Sequence, residues 1–234
     1  MNRENHNLEY FLYQVIEELS KEDAPIIFKG GLALKDLLFL VNENINVDRK
    51  TIDIDANWVD KYNKEKITKV LEKAVKKVNK NYNVVLYREP DINKSMGFKV
   101  VDEKNNLITK IDLDIKDNPF YIICNINDVD IKYSSLEKMM ADKIFVLSNT
   151  HIFRRIKDIL DVYLIISNCN IDIEKVKEIL KYDKRELEDF STLLSNKQLV
   201  KESYDKLIGV KNKPDFEKVW NTTIKYLEKN KFLK

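Results

Sequence analysis

Two aspartates, Asp53 and Asp55, lie one residue apart in the short apolar stretch TIDIDANW (51–58). Side chains alternate across a strand, so both carboxylates point to one face if this stretch is a strand. Two carboxylates held side by side repel each other, and one or two divalent cations would neutralise them. The stretch therefore indicates a metal site. The alternative is an exposed strand face at a sheet edge, where paired acids are harmless.

A second acid-bearing stretch, LITKIDLDI (107–115), carries Asp112 and Asp114 on one face of a predicted strand, together with Lys110. If this strand lies beside TIDIDANW, a third carboxylate can join the first two. Two metal ions about 3.5–4 Å apart stabilise the attacking and leaving oxygens of an in-line phosphoryl displacement.

Adjacent glycines form the third feature. The chain has only four glycines, and Gly30 and Gly31 stand together between a predicted strand and a predicted helix. Glycine allows close backbone approach, and a helix N-terminus presents free N–H groups to phosphate. A plain tight turn is the alternative, and the segment is neither a Walker A loop nor a G-x-G-x-x-G motif. Taken with the two acid-bearing stretches, it indicates metal-assisted chemistry on a nucleotide.

Charged residues also recur in the C-terminal part. RRIKDILDVYLIIS (154–167) is predicted to be a helix, and Lys143 lies within the predicted helix before it. Residues four apart on a helix are neighbours, so ordinary ion pairing on a solvated face is one interpretation. Pairs at this spacing are Arg154 with Asp158 and Lys157 with Asp161. The other interpretation is that a Lys or Arg is directed at a triphosphate.

Hydrophobic periodicity predicts the elements that would position these residues. Helices are predicted at 8–19, 32–41, 60–80, 134–147 and 154–167. Strands are predicted at 24–28, 51–58, 83–89, 97–103, 107–115, 120–126 and 129–133. Ser134 and Glu137 match a capping box that starts a helix. The remaining residues show amphipathic segments and no convincing strand, so a mixed α/β domain (1–133) followed by a helical domain (134–234) is predicted.

Composition narrows the class of protein. Hydrophobic residues make up 44% of the 234 residues and charged residues 34%, with a net charge of +2, which argues against one large basic field. Two histidines and two cysteines leave oxygen as the expected metal ligand, which favours magnesium, manganese or calcium. No signal peptide or membrane span is recognisable, so a soluble, cytoplasmic protein without a membrane partner is expected.

Four ordered motifs resemble a known family. KGGLALKDLL followed by RKTIDIDANW resembles the first motif of DNA polymerase β-type nucleotidyltransferases, and more narrowly that of the AbiEii/AbiGii toxin family. KIDLDI resembles the strand with the third acid in that family, and SLEKMMADKIFVL and RRIKDILDVYLI resemble two of its helices. The resemblance implies an α+β fold, with a polymerase β-like nucleotidyltransferase domain on a mixed sheet and a C-terminal helical bundle.

The resemblance also implies roles for the residues of the first part. Gly30 and Gly31 would hold the β- and γ-phosphates of a nucleoside triphosphate through backbone N–H groups. Asp53 and Asp55 would bind two Mg²⁺ (or Mn²⁺) ions. Asp112 would complete one metal site and help deprotonate the attacking hydroxyl.

Further roles are implied for the helical part. Lys143 would contact the triphosphate. The residues that would close the far side of the cleft are Arg155, Lys157, Asp158 and Asp161. Arg49 and Thr51 match flanking positions of the family. Leu32 departs from the Thr or Ser that many relatives carry after the second glycine, so a side-chain phosphate contact is in doubt there.

The expected function is transfer of NMP from an NTP to an acceptor. The family resemblance favours an RNA 3′ end, such as that of tRNA, and the toxin of a toxin–antitoxin or phage abortive-infection pair with a cognate antitoxin. Two alternatives stay open. One is a small-molecule nucleotidyltransferase of the antibiotic-modifying kind, and the other is a nucleotide- or partner-binding module without turnover. A basic rim from Lys94, Lys99, Arg154, Arg155 and the lysines of 60–80 would favour RNA.

Overall fold

The chain folds into two compact units. The structure is a computed structural model that describes residues 3–45, 48–90, 95–149, 153 and 155–233. The first unit contains the chain up to Ala33 and Lys50–Ser134, and the second contains Leu34–Arg49 and the chain from Ser135 onward. The chain thus passes from one unit to the other close to the predicted domain boundary. Residues 34–49 group with the helices and not with the first domain, to which the sequence alone assigned them.

A seven-stranded mixed sheet forms the centre of the first unit. Its strands are β1 (Ile26–Lys29), β3 (Asp53–Trp58), β4 (Asn83–Arg88), β5 (Ser95–Val101), β6 (Leu107–Ile115), β7 (Tyr121–Ile126) and β8 (Val129–Ser134). They lie in the order β4-β5-β6-β3-β1-β8-β7. β3 is parallel to β6 and antiparallel to β1, and β1 is parallel to β8. The remaining neighbours are antiparallel.

Apolar residues on alternate strand positions bury one face of this sheet. Ile54, Ala56 and Trp58 of β3 are buried, as are Ile111 and Leu113 of β6. Helix α1 (Arg3–Lys21) packs against helix α3 (Lys64–Val78). α1 also contacts β8, and α3 also contacts β4. The opposite face of β3 and β6 carries the aspartates, as strand alternation predicts.

The second unit is mainly helical within the described residues. It contains most of α2 (Gly30–Val41) and the helices α4 (Leu136–Ser148), α5 (Lys157–Asn168), α6 (Ile173–Tyr182), α7 (Ser191–Ser195), α8 (Lys197–Asp205) and α9 (Phe216–Lys229). α4 packs against α5, α6 and α7, and most of its residues are buried. The predicted α+β class with a helical C-terminal part is confirmed.

Two short strands were missed from the sequence. β2 (Asp48–Arg49) and β9 (Val210–Lys211) pair antiparallel within the second unit. The C-terminal part was predicted to hold no convincing strand, and that prediction was wrong here. Two residues are too few to show alternation, so only the pairing reveals them.

The start of α4 differs from the predicted capping box by one residue. Ser135 is the N-cap, because its side chain accepts a hydrogen bond from the backbone N–H of Lys138 at 3.2 Å. Ser134 instead ends β8, and its buried hydroxyl oxygen accepts from Nδ2 of Asn118 at 2.9 Å. Within the described residues, no helix combines the length and the apolar character that crossing a bilayer requires.

Candidate active site

Strand pairing brings the predicted acids onto one face. In the parallel β3–β6 ladder, Asp55 lies opposite Asp112 and Asp53 lies opposite Lys110. Paired residues of neighbouring strands point to the same side of a sheet, so the three carboxylates share a face. The predicted adjacency of the two acid-bearing strands is therefore present. The register, which the sequence does not encode locally, sets which acid faces which.

One row of residues crosses five strands through this pair of acids. Lys29 of β1 lies opposite Asp55, Asp55 opposite Asp112, Asp112 opposite Gly97, and Gly97 opposite Arg88. The carboxylates thus occupy the middle of the row, with a cation-bearing strand at each end. This arrangement defines two sides of the acidic pair, one toward β1 and α2 and one toward β5 and β4.

Gly30 lies directly against Asp55, on the β1 side. Its φ of +72° is a conformation that L side chains rarely adopt. A Cβ at this position would overlap the Asp55 carboxylate, with Cγ only 2.9 Å away. Glycine is required for both reasons, and α2 begins at Gly30, with Gly31 as its next residue. The first N–H groups of that helix therefore start beside an acid of β3.

Asp112 is held from the β4 side by two neighbouring side chains. Its Oδ1 accepts a hydrogen bond from Nη2 of Arg88 at 2.6 Å and one from the hydroxyl of Tyr87 at 3.2 Å. Burial raises the pKa of Tyr87, and the charge of Asp112 raises it further. The phenol hydroxyl therefore stays a donor at neutral pH. Neither Tyr87 nor Arg88 was predicted from the sequence to belong to the site.

Asp114 has a different partner from Asp112. It forms an ion pair with Nζ of Lys29, and Ser95 lies opposite it on β5. Burial raises the pKa of Asp114, but the charge and hydrogen bond of Lys29 outweigh burial, so the pKa lies below its usual value. The carboxylate is thus ionised and neutralised within the protein. Asp112 is likewise paired, with Arg88, so its role as the third acid stays a prediction.

Buried polar atoms without a partner flank the acids on β3. Asn57 is fully buried, and its Oδ1 accepts from Nδ2 of Asn118 at 3.1 Å. Nδ2 of Asn57 and the hydroxyl of Thr51 have no hydrogen-bond partner among the described residues. Buried polar groups are nearly always satisfied, so unmet groups beside an acid pair are typical of a site that is completed by solvent or ligand.

The donor set suits a hard divalent cation. Asp53, Asp55 and Asp112 offer only oxygen, which Mg²⁺ prefers. Among the described residues, no three acidic, His or Cys side chains converge on one ion position as they stand. Mg²⁺ is commonly held by one or two carboxylates together with substrate phosphates and water, so such a cage is not required. The residues present fit the ion in their chemistry, and the assignment of the three aspartates as its ligands stays a prediction.

The predicted site residues of the second unit form a closed ion cluster. Nζ of buried Lys143 contacts Oδ1 of Asp158 at 3.0 Å and Oδ2 of Asp161 at 2.6 Å. Nη1 of Arg49 donates to both carboxylate oxygens of Asp161, at 3.0 and 2.9 Å. Nε of Arg155 donates to Asp158 at 2.9 Å. The strand β2 and the helices α4 and α5 are thereby tied together.

The charged forms of Lys143 and Asp158 are favoured within this cluster. Burial lowers the pKa of Lys143, but the charges of Asp161 and Asp158 outweigh burial and raise it. Burial raises the pKa of Asp158, but Lys143 and Arg155 outweigh it and hold the pKa below its usual value. The predicted role of Lys143, Asp158 and Asp161 in binding a nucleotide stays a prediction, since each already has an internal partner.

The surface ion pairs expected on α5 take another form. Asp161 is fully buried and pairs with Lys143 and Arg49, whereas Lys157, its expected partner, is exposed. Asp158 and Asp161 are thus not on a solvated face, because α5 buries that side. Arg154 and Lys94 of the expected basic rim lie outside the described residues, so the Arg154–Asp158 pair does too.

Comparisons with known proteins give one family match and similar folds among solved structures. A protein-family model described as "Nucleotidyl transferase AbiEii toxin, Type IV TA system" matches residues 11–226. JHP933 from Helicobacter pylori is 16% identical, with 99% of this chain and 97% of that chain covered at a TM-score of 0.57. The nucleotidyltransferase toxin MenT4 from Mycobacterium tuberculosis is 10% identical, with 96% of this chain and 84% of that chain covered, also at 0.57. At these identities the likeness shows the fold alone. No curated protein sequence matches the chain significantly.

Proposed function

The chain belongs to the AbiEii family of nucleotidyltransferase toxins, and on this premise we propose that it transfers a nucleoside monophosphate from an NTP to the 3′ end of an RNA. Family membership confirms the resemblance drawn from the sequence, and the protein is a nucleotidyltransferase. The proposed products are the extended RNA and pyrophosphate. We propose tRNA as the RNA and a cognate antitoxin as the protein partner.

The row through Asp55 and Asp112 is the observation that carries this proposal. It supplies two carboxylates in register and a glycine at a helix start against Asp55, and the third carboxylate, Asp53, lies two residues along β3 on the same face. Phosphoryl transfer needs positioning and charge stabilisation more than covalent chemistry from the protein. Acids in a row beside a helix start can provide both.

Asp53, Asp55 and Asp112 would hold the divalent ions, Mg²⁺ or Mn²⁺. Such ions, when bound, neutralise charge on the phosphates and on the attacking and leaving oxygens. The three aspartates contribute by fixing the place of that charge on a rigid sheet. Their spacing is set by strand pairing, which leaves little freedom for the carboxylates to drift.

Backbone N–H groups at the start of α2 would bind the triphosphate. Gly30 and Gly31 give a phosphate close access to these donors, and the helix N-terminus favours a negative charge. Leu32 is buried and has no hydroxyl, so the phosphate contact here would come from the backbone alone.

Asp112 would accept the proton of the attacking hydroxyl. The hydroxyl oxygen bonds to the α-phosphorus. The bond between the α-phosphorus and the oxygen that bridges it to the β-phosphate breaks, and pyrophosphate leaves. Arg88 and Tyr87 would hold the Asp112 carboxylate in position from the side opposite Gly30. Cationic groups on this side, among them Lys99 and Lys110, support an anionic acceptor over a cationic small molecule.

The test is label transfer from each of the four NTPs. Purified protein is incubated with one labelled NTP at a time, Mg²⁺ and total RNA, and RNA is separated on a denaturing gel. Label on RNA with at least one NTP is expected, and chelation of the metal should abolish it. Absence of transfer with every NTP would contradict the proposal.

The matched control is the double variant Asp53→Asn/Asp55→Asn, which keeps side-chain size. It is expected to lose transfer while its circular dichroism and unfolding curve stay close to those of the wild type. Label transfer that persists in this variant would contradict the assignment of the two aspartates. Label found on a small molecule, with none on RNA, would favour the antibiotic-type alternative.

A further inference from the structure

A β-bulge re-aims one side chain of β4 toward the acidic face. Leu86 pairs with Phe98 and Arg88 pairs with Gly97, so Tyr87 is an extra residue opposite a single position of β5. Successive side chains of a regular strand point to opposite faces, whereas a bulge lets two neighbours share one. Tyr87 and Arg88 both reach Asp112 for this reason. Such bulges are frequent beside active sites.

Gly97 makes room for the Tyr87 ring. A Cβ at Gly97 would lie 2.6 Å from Cζ of Tyr87 and 2.7 Å from Cε1. The ring therefore lies over the β5 backbone at Gly97, where any other residue would displace it. Tyr87 is also 38% exposed, so part of an aromatic residue is open to solvent next to the acids.

Three cations lie over this ring at cation–π distances. Nζ of Lys99 lies 5.4 Å from the ring centroid, Nζ of Lys110 lies 5.6 Å away, and Cζ of Arg88 lies 5.7 Å away. The facing negative charges are Asp112, which Arg88 offsets, and Asp53, which lies opposite Lys110. An exposed aromatic ring with cations around it is the chemistry that binds single-stranded nucleic acid, by base stacking and phosphate contacts.

The position of Tyr87 relative to Gly30 also indicates which side of the acid row binds the NTP and which side binds the acceptor. Gly30 and the start of α2 lie on the β1 side of the acid row, and Tyr87 lies on the β4 side, two strands beyond Asp112. If the triphosphate takes the helix start, the Tyr87 side is left for the acceptor.

We propose that Tyr87, Arg88, Lys99 and Lys110 form the subsite for the terminal nucleotides of a single-stranded RNA acceptor. The Tyr87 ring stacks on a base, and the three cations contact the phosphates. This inference rests on the proposed function in one respect, that the acceptor is RNA. It adds the residues that recognise that acceptor.

The test measures RNA binding without NTP, so that it does not depend on turnover. A fluorescently labelled single-stranded oligoribonucleotide with a free 3′ hydroxyl is titrated with protein, and anisotropy gives Kd. Tyr87→Ala is expected to weaken binding by about 5-fold to 150-fold, the loss that removal of one stacking platform gives. Tyr121→Ala, an equally exposed tyrosine on β7 at the other edge of the sheet, is the control and should bind as the wild type does.

Two further variants separate ring, charge and folding. Gly97→Ala keeps every side chain of the subsite but displaces the ring, so it should reproduce much of the Tyr87→Ala loss, with circular dichroism showing that the variant is still folded. Lys99→Ala should reduce the slope of log K against log salt by about 0.7, the value for one phosphate contact on a single strand.

The possible outcomes distinguish failure of the proposed subsite from failure of the proposed function. Equal Kd values for Tyr87→Ala and the wild type would overturn the subsite, as would an unchanged KM for RNA when label transfer persists. RNA binding that depends on Tyr87 in a protein with no transfer activity would overturn the proposed function and leave the subsite standing. A wild-type protein that binds no RNA and labels a small molecule would overturn both.

Discussion

Two features of position 30 require glycine. Its backbone has a positive φ, and its α-carbon lies against the carboxylate of Asp55. The first demand affects stability, because an L side chain in this conformation costs about 1–2 kcal/mol. The second affects the site, because a methyl group would move the carboxylate. The two effects can be separated, since Gly209 also has a positive φ of +75° and lies in the other unit.

Gly30→Ala is therefore expected to lose nucleotidyl transfer out of proportion to its loss of stability. Gly209→Ala should show a comparable fall in the free energy of unfolding, of about 1–2 kcal/mol, with transfer activity retained. Chemical denaturation and the label-transfer rate of both variants check this. Equal activity losses in the two variants would mean that backbone strain alone explains the effect at Gly30.

Local pattern in the sequence sufficed for some site residues and not for others. Strand alternation places Asp53 and Asp55 on one face without knowledge of the fold, whereas the role of Asp112, on another strand, was implied by the family resemblance. Arg88 and Tyr87 could not be predicted, because a bulge breaks alternation and shows only in the pairing with β5. Lys29 was missed for a different reason: its partner Asp114 lies 85 residues away in the sequence, and local pattern does not reveal such a contact.

At the scale of elements, the ion cluster joins α4, α5 and the end of β2. Asp158 and Asp161 are 4% and 0% exposed, so their charges depend on Lys143, Arg49 and Arg155 for compensation. Removal of one partner from a buried ion pair leaves an uncompensated charge, which usually costs about 3–5 kcal/mol. We infer a structural contribution that exists without any ligand.

Lys143→Met is expected to lower the free energy of unfolding by about 3–5 kcal/mol in the absence of nucleotide. Lys157→Met, a change of the same kind at an exposed lysine at the start of α5, should change it by less than about 0.5 kcal/mol. Urea denaturation of both variants checks this. A Lys143→Met protein as stable as the wild type but defective in transfer would instead support the predicted triphosphate contact.

The stability contribution of Asp158 should depend on pH in a defined direction. Its pKa in the folded protein lies below the ordinary value of 3.8, so its contribution is complete above about pH 4. It is lost as the pH falls through the folded-state pKa, because protonation removes the pairing with Lys143 and Arg155.

The measurement is the difference in the free energy of unfolding between the wild type and Asp158→Asn, taken across a pH series. This difference should be largest at neutral pH and shrink as the pH falls below about 4. A difference that grows on acidification would contradict the assigned direction.

Element positions followed the periodicity where segments were long. The helix predicted at 60–80 is α3 (Lys64–Val78), and the strand predicted at 107–115 is β6 with the same bounds. The capping-box pattern failed at the α4 start, where Ser134 and Glu137 predicted Ser134 as the N-cap. The hydrogen bond from the backbone N–H of Lys138 assigns the cap to Ser135, while the hydroxyl of Ser134 accepts from Asn118 at the buried end of β8.

At the scale of the whole molecule, substrate binding should appear as stabilisation. A ligand that binds only the folded state raises the free energy of unfolding by about 2.7 kcal/mol at 100 times its Kd. NTP with Mg²⁺ is expected to raise the melting temperature of the wild type. The rise should disappear in Asp53→Asn/Asp55→Asn and with EDTA.

Thermal unfolding with each NTP, with and without the metal, measures this effect independently of any acceptor. The NTP with the largest shift should match the one that transfers label. A shift of the same size in the double variant would mean that the nucleotide binds elsewhere in the protein.

The bulge at Tyr87 has a consequence for how such a site can diverge between proteins. Because Arg88 already pairs with Gly97, deletion of the single codon for residue 87 would close the ladder with Leu86 opposite Phe98 and Arg88 opposite Gly97, as now. The register of β4 against β5 would stay the same, and Arg88 would keep its contact with Asp112. Only the aromatic ring of Tyr87 would be lost. Acceptor preference could therefore change by a one-residue insertion or deletion inside a strand, a kind of mutation that ordinarily reverses every side chain beyond it.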